Sequence, residues 1–154
     1  MSLKKYKGKR NFEKTNEPEI SGQKESKNRF VVQEHNATNL HYDFRLELPE
    51  NISGGEFVLK SWAVPKGVPQ KKGVKRLAIQ TEDHPVKYIN FEGKIPKGEY
   101  GAGTVEIWDK GEFKLFKREE NLYDFKLDGE KLTGNYVLIH PKSFEENNWL
   151  IFKK

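Results

Sequence analysis

The 154-residue chain is 34% hydrophobic, 33% charged and 12% aromatic, and its 28 Lys and Arg against 23 Asp and Glu leave a net charge of +5. That length suits one compact domain, and so many aromatic rings argue against disorder. The absence of Cys excludes a disulfide scaffold, Cys-ligated zinc and a thiol nucleophile; no apolar run reaches the roughly 20 residues of a membrane span, and no signal-peptide h-region opens the chain, so it reads as a soluble cytoplasmic protein.

Residues 1–28 are polar and open with Lys4, Lys5, Lys7, Lys9 and Arg10 without an acid. They read as a basic N-terminal arm with little regular structure, part of the active site where ordered, preceding a barrel domain over 29–154. From Phe30 onward, short runs rich in aromatic and β-branched residues predict strands over Phe30–Gln33, Leu40–Leu48, Glu56–Val64, Arg76–Glu82, Lys87–Phe91, Thr104–Asp109, Glu112–Lys117, Tyr123–Leu127, Leu132–Ile139 and Trp149–Phe152. Lys110-Gly111 and Asp128-Gly129 read as hairpin turns. At most a turn or two of helix fits Lys142–Asn147. The expected fold is all-β, a compact antiparallel barrel with little helix. A second acid-free block runs from Lys60 through Lys66, Lys71, Lys72 and Lys75 to Arg76. Two such blocks in a short chain point to a phosphate-bearing partner.

The run Leu40–Leu48 carries the chemistry. Strand alternation sends Leu40, Tyr42, Phe44, Leu46 and Leu48 to one face and His41, Asp43 and Arg45 to the other, with His41 and Asp43 roughly 7 Å apart along the strand. His35 closes the preceding run, and Asn36–Asn39 is long enough to fold it back over His41. Two imidazoles and a carboxylate can then converge on a divalent cation. A lone strand histidine is more often a surface or hydrogen-bonded residue, and Asp43–Arg45 also reads as a salt-bridged solvent face. Two of the four histidines within seven residues, in phase with a carboxylate and a guanidinium, favour the metal site. Such a triad also fits a facial-triad iron oxygenase; Arg45 and the Lys60–Arg76 block favour phosphoester hydrolysis instead, because cations beside the metal suit phosphoryl oxygens. Locally, His84 reads as a turn histidine or as a proton donor or phosphate ligand. Lys60, in a mostly apolar run, is expected to emerge at a functional or solvent face. The glycines of Gly93–Gly103 predict tight turns or a bulge at a barrel rim, not a phosphate loop. His140 reads as structural.

The stretch His35-Asn36-Ala37-Thr38-Asn39-Leu40-His41-Tyr42-Asp43-Phe44-Arg45 resembles the hallmark of the 3′-phosphoesterase domain of bacterial and archaeal DNA ligase D, and so do Leu59–Gly67, Glu82–Pro85, Glu92–Val105 and the terminal Trp149-Leu150-Ile151. The resemblance spans nearly the whole chain and suggests a stand-alone version without ligase or polymerase domains. It implies a manganese-dependent enzyme of DNA end repair that removes a terminal 3′-ribonucleoside and then hydrolyses the remaining 3′-phosphate to a 3′-hydroxyl; cobalt, zinc and cadmium are equally acceptable to such ligands. It implies metal ligands His35, His41 and Asp43, and phosphate contacts from Arg45 and His84. By the same resemblance Lys60, Arg76 and Arg10 match further basic site residues, Tyr88 matches a tyrosine of the phosphomonoesterase step, and Gln33 matches a glutamine that supports the site. The partners implied are DNA or RNA–DNA primer-template 3′ ends, with a separate ligase, a polymerase and Ku. One departure stands out: the family's Arg-Asp-Phe is here Arg10-Asn11-Phe12, so either the diester step is weakened or Glu13 or Glu17 replaces the missing acid. The rival readings are the iron oxygenase and a non-catalytic nucleic-acid-binding barrel.

Overall fold

A computed structural model describes residues 3–12, 14–15, 17–18 and 27–154. Its strands are β1 (Arg29–Asn36), β2 (Leu40–Asn51), β3 (Gly54–Val64), β4 (Lys75–Gln80), β5 (Gly93–Ile95), β6 (Gly103–Glu119), β7 (Leu122–Gly129), β8 (Thr133–Ile139) and β9 (Asn148–Lys153). Hydrogen-bonded neighbours run β1-β2-β3-β4-β9-β8-β7-β6, and β6 returns to pair with β1. All pairings are antiparallel, so eight strands close into a barrel, and β5 adds a ninth along β6. Closure leaves no edge among the eight, which removes the exposed ladder groups of an open sheet.

The barrel encloses the core. Phe30, Val32, Phe44, Leu46, Trp62, Phe125, Tyr136, Leu138 and Ile151 are fully buried there. A second, smaller cluster (Tyr6, Val31, Leu59, Tyr88, Ile89, Phe91, Ile95 and Val105) lies on the other face of β1 and β3. Period-2 alternation makes this possible, since Val31 and Leu59 point away from the interior that Phe30 and Trp62 fill. The functional residues of β1–β3 lie on that outer side.

Several expectations need correction. Lys87–Phe91 is not a strand: Val86–Asn90 forms a 3₁₀ helix capped by extended residues Pro85 and Phe91. Proline cannot donate to a ladder, and it sets the start of this turn instead. Lys110-Gly111 is no turn but the middle of the 17-residue β6, paired with Val31 and Phe30 on one side and, at Gly111, with Gly129 on the other. A Cβ on Gly111 would collide with the Asp128 carbonyl, so the glycine marks a close backbone approach. The hairpin near Asp128-Gly129 exists, with its turn one step later: Asp128 pairs with Thr133, and the Gly129 amide donates to the Leu132 carbonyl at 2.8 Å. Residues 141–147 form turns without helix. The arm holds a six-residue helix, α1 (Leu3–Gly8). Glu13 lies outside the described residues.

Candidate metal and phosphate site

β1 and β2 form a hairpin in which His35 pairs directly with His41 and Gln33 with Asp43. The three-residue connection 37–39 therefore superposes the two imidazoles, whose ring centroids are 4.7 Å apart. Asp43 lies between them: His35 Nδ1 is 3.3 Å from Oδ2, and His41 Nε2 is 3.2 Å from Oδ1. One ligand atom from each of these residues lies within 4.8 Å of the others. Each ring's remaining nitrogen meets a carbonyl, His35 Nε2 at 2.6 Å from Gly101 O and His41 Nδ1 at 3.2 Å from Asn39 O. Those N–H groups donate outward, which leaves His35 Nδ1 and His41 Nε2 as lone-pair donors toward one point. Carbonyl-anchored imidazoles beside a carboxylate are the donor set of a divalent transition metal. The residues fit such an ion.

Arg45 is the next outer-face residue of β2 and is buried. Its Nε donates to Gln33 Oε1 at 2.7 Å, NH1 donates to Ser61 Oγ at 2.8 Å, and NH2 is 3.4 Å from Asp43 Oδ2. Gln33 itself is held by donation from Nε2 to the Tyr88 and Phe91 carbonyls, at 2.9 and 3.1 Å. The 3₁₀ helix thus orients the glutamine, and the glutamine orients the guanidinium. Burial alone would raise the Asp43 pKa; Arg45 and the two imidazoles overcome that and hold the carboxyl below its usual range. A proton on His41 Nε2 hydrogen-bonds Asp43, which raises the His41 pKa against burial, and an ion held there would take that proton's place.

His84 reaches this site through an antiparallel bridge between its own residue and Leu59. Its Nδ1 is 3.0 Å from the Glu82 carbonyl and 3.2 Å from Arg45 NH1, and Nε2 is 3.3 Å from Arg10 NH2. Burial, then the charges of Arg45 and Arg10, push its pKa well below the ordinary histidine value, so the ring is neutral at pH 7. A neutral ring donating from Nδ1 to Glu82 O and accepting at Nε2 from Arg10 satisfies those two contacts, while the Arg45 charge beside Nδ1 disfavours a second proton on the ring.

The arm supplies the outer wall. The Arg10 side chain is covered by Tyr6, with its guanidinium 3.9 Å from the ring centroid, and pairs with Glu17 at 3.0 Å and Glu82 at 3.2 Å. Glu17 also accepts from Tyr88 Oη at 2.7 Å and Thr15 Oγ1 at 3.1 Å. Burial and then the Glu17 charge raise the Tyr88 pKa well above 10 against the opposing Arg45 charge, so Tyr88 is a neutral donor. Asn11 is exposed, its carbonyl accepting from the Lys14 and Thr15 amides, while buried Glu17 and Glu82 bring two carboxylates to Arg10. Arg10, Glu17, Glu82 and Tyr88 line, with His84 and the residues of β1 and β2 facing them, a cavity of about 210 Å³. It opens beside His41, whose side chain is 25% exposed against 11% for His35.

Of the residues singled out from sequence, Arg10, His35, His41, Asp43, Arg45, His84 and Tyr88 line this cavity, and Gln33 stands directly behind it. Lys60 and Arg76 do not. Alternation along β3 puts Ser61 on the site face and Lys60 on the opposite one, buried against Asp83 at 3.1 Å rather than at a functional or solvent face. Arg76 donates to the Lys66 and Gly67 carbonyls at 2.8 and 3.0 Å. Ser61, Glu82, Tyr6 and Gly101 are the participants that sequence reasoning passed over. Ser61 was detectable as the site-face residue of β3, and Glu82 as the partner two residues from His84. Tyr6 and Gly101 come from segments with no periodicity to betray them. His140 lies elsewhere, its Nε2 2.9 Å from the Glu145 carbonyl.

A profile of the DNA ligase D 3′-phosphoesterase domain matches residues 33–140, which include most of this cavity. The chain belongs to that family. It is 45% identical over 162 aligned residues to the multifunctional non-homologous end joining protein LigD of Pseudomonas aeruginosa, covering 98% of this chain and 18% of that protein. It is 42% identical to the LigD proteins of Mycolicibacterium smegmatis and Mycobacterium tuberculosis, over 96% of the chain and 20% and 19% of theirs. This member of the phosphoesterase family thus spans about a fifth of the length of the relatives it matches. No helix among its described residues is long and apolar enough to cross a membrane.

Proposed function

We propose that this phosphoesterase-family chain processes 3′ ends of DNA or RNA-tailed DNA in end repair, removing a terminal 3′-ribonucleoside and hydrolysing the resulting 3′-phosphate to a 3′-hydroxyl. The observation that carries the reading is the convergence of His35 Nδ1, His41 Nε2 and Asp43 beside the buried Arg45 guanidinium. A manganese ion held by those three residues would supply Lewis-acid polarisation of a phosphoryl oxygen and a bound water of lowered pKa.

The chain's own groups do the rest. Arg45, its plane set by Gln33 and Ser61, neutralises charge that builds on the phosphoryl oxygens in the transition state. Arg10 presents a second cation from the arm. His84, neutral between two guanidiniums, gains basicity when a phosphoryl anion offsets their charge, and can then hold a proton at Nε2 for the leaving oxygen. Tyr88 donates from its hydroxyl and packs its ring 4.9 Å from the Arg45 guanidinium, fixing the cation from below. Glu17 and Glu82 hold Arg10 in place, the role the absent arm aspartate leaves open. Lys60 and Arg76 act outside the cavity, Lys60 as the partner of Asp83 and Arg76 in the loop after β3.

The test is a 5′-labelled primer-template ending in one 3′-ribonucleotide, incubated with manganese, magnesium or chelator. Manganese-dependent shortening followed by loss of the 3′-phosphate is expected, and His41→Ala should abolish both with the fold intact. Turnover unaffected by chelator, or retained by His41→Ala, would overturn the reading. Oxygen or 2-oxoglutarate dependence would instead favour the iron oxygenase.

A further inference from the structure

We propose that the 65–76 loop is a docking track for the sugar–phosphate backbone of a nucleic-acid duplex whose 3′ end occupies the cavity; the track rests on the reading above. β3 passes the site at Ala63, which lines the cavity opposite Asp43, and ends at Val64 opposite Tyr42. Two residues later Lys66 is exposed, so the loop leaves the barrel at the rim beside His41. Lys71, Lys72 and Lys75 follow, all exposed, and none of these four lysines forms an ion pair among the described residues. The chain offers no acid between Glu56 and Glu82 to neutralise them. Four unpaired cations crowded on one segment repel each other and raise the local potential, a cost that a polyanion removes.

The loop is held rather than loose. Val68 is buried in the barrel core, and the Tyr136 hydroxyl donates to the Pro69 carbonyl at 2.6 Å. Arg76 clamps the Lys66 and Gly67 carbonyls. Gly67 turns with φ +87°, and a Cβ there would press on the Tyr42 ring at 3.3 Å. At the far end Lys72 bridges to Lys153 of β9, and Lys75 Nζ lies 5.2 Å from the Phe152 ring centroid. Arg76 is thereby a positioning residue that acts through the loop. The occupant follows from composition: residues 65–76 contain no aromatic side chain. Tracks for single strands stack bases on aromatic rings, whereas a duplex backbone is held by cations and hydrogen-bond donors and needs no stacking platform.

Binding of a fluorescent primer-template with a 3′-phosphate, in chelator so that nothing turns over, tests this by anisotropy between 50 and 200 mM salt. Lys71→Glu/Lys72→Glu should weaken the duplex tenfold or more at the low-salt end and flatten the log–log salt dependence by about 2, since each phosphate contact contributes roughly 0.9. Arg76→Gln should weaken the duplex with a smaller change in slope. Lys114→Glu/Lys126→Glu, on the exposed face of the β6–β7 hairpin, controls for net charge. An unchanged slope in the loop variant, an equal loss in the control, or an equal loss on the single strand alone would overturn the track. A wild-type protein that binds through the loop yet hydrolyses nothing with any divalent metal would sink the phosphoesterase reading and leave the track standing.

Discussion

Each imidazole of the candidate metal site is oriented by a backbone carbonyl, and the Gly101 carbonyl does so from a conformation with φ +76°. A Cβ at Gly101 would come within 3.2 Å of His35 Cε1, in a backbone region that L side chains rarely adopt. Gly101→Ala should therefore weaken metal binding about tenfold or more, the usual range for losing an outer-shell partner, as calorimetric titration with manganese would read. Affinity equal to wild type would show that His35 holds its orientation without Gly101. His84 makes a different statement at the same scale. Its pKa in the folded protein lies below the unfolded value of about 6.5. As pH falls past 6.5 the unfolded chain takes up a proton that the folded ring refuses, so stability drops by up to about 1.4 kcal/mol per pH unit until the folded pKa is reached. Urea unfolding in chelator between pH 5 and 7.5 should show this slope in the wild type and a shallower one in His84→Gln. Parallel pH profiles would mean that burial and the two guanidiniums do not exclude the proton.

At the level of single elements, β2 was the most legible. Its alternation announced both an apolar face and a His41-Asp43-Arg45 face, because a side-chain period of two is a local property of extended backbone. The interior does receive Tyr42, Phe44, Leu46 and Leu48; only Leu40, at the strand's open end, stays 47% exposed. β6 was less legible, since two segments of one bent strand pair with different partners and read like a hairpin. Asp109 explains how the true hairpin is built. Its buried carboxylate accepts from the Glu130, Lys131 and Leu132 amides at 2.9, 3.1 and 2.8 Å, closing the β7–β8 turn from a different strand. Asp109→Ala leaves all three amides without that acceptor, and a cost of about 3 kcal/mol is expected from the usual penalty for unsatisfied buried groups. Chemical denaturation would register it as a lower midpoint, whereas a change below 0.5 kcal/mol would mean that water replaces the carboxylate.

For the molecule as a whole, the site lies outside the barrel, between the wall of β1–β3 and a cover made of the arm, the 3₁₀ helix and the 93–103 segment. Three candidate ligands preformed by one hairpin mean that an ion held by them would bind the folded chain and not the unfolded one. Saturating manganese at a hundredfold its Kd should then stabilise the protein by about 2.7 kcal/mol. A thermal shift present in the wild type and absent in His35→Ala or Asp43→Ala is the expected result; an equal shift in the variants would place the ion elsewhere.

The all-β class, the three candidate ligands and the cationic loop are visible in the residue order alone, because alternation, spacing and charge clustering act over a few neighbouring positions. Long-range pairing decided the rest. Only the folded chain brings Arg10, Glu17, Glu82 and Gly101 to the same cavity, buries Lys60 against Asp83 on the far side of β3, and turns Arg76 onto the loop. Contacts between residues some seventy positions apart depend on barrel closure and on which face each strand turns inward, and no local pattern encodes either.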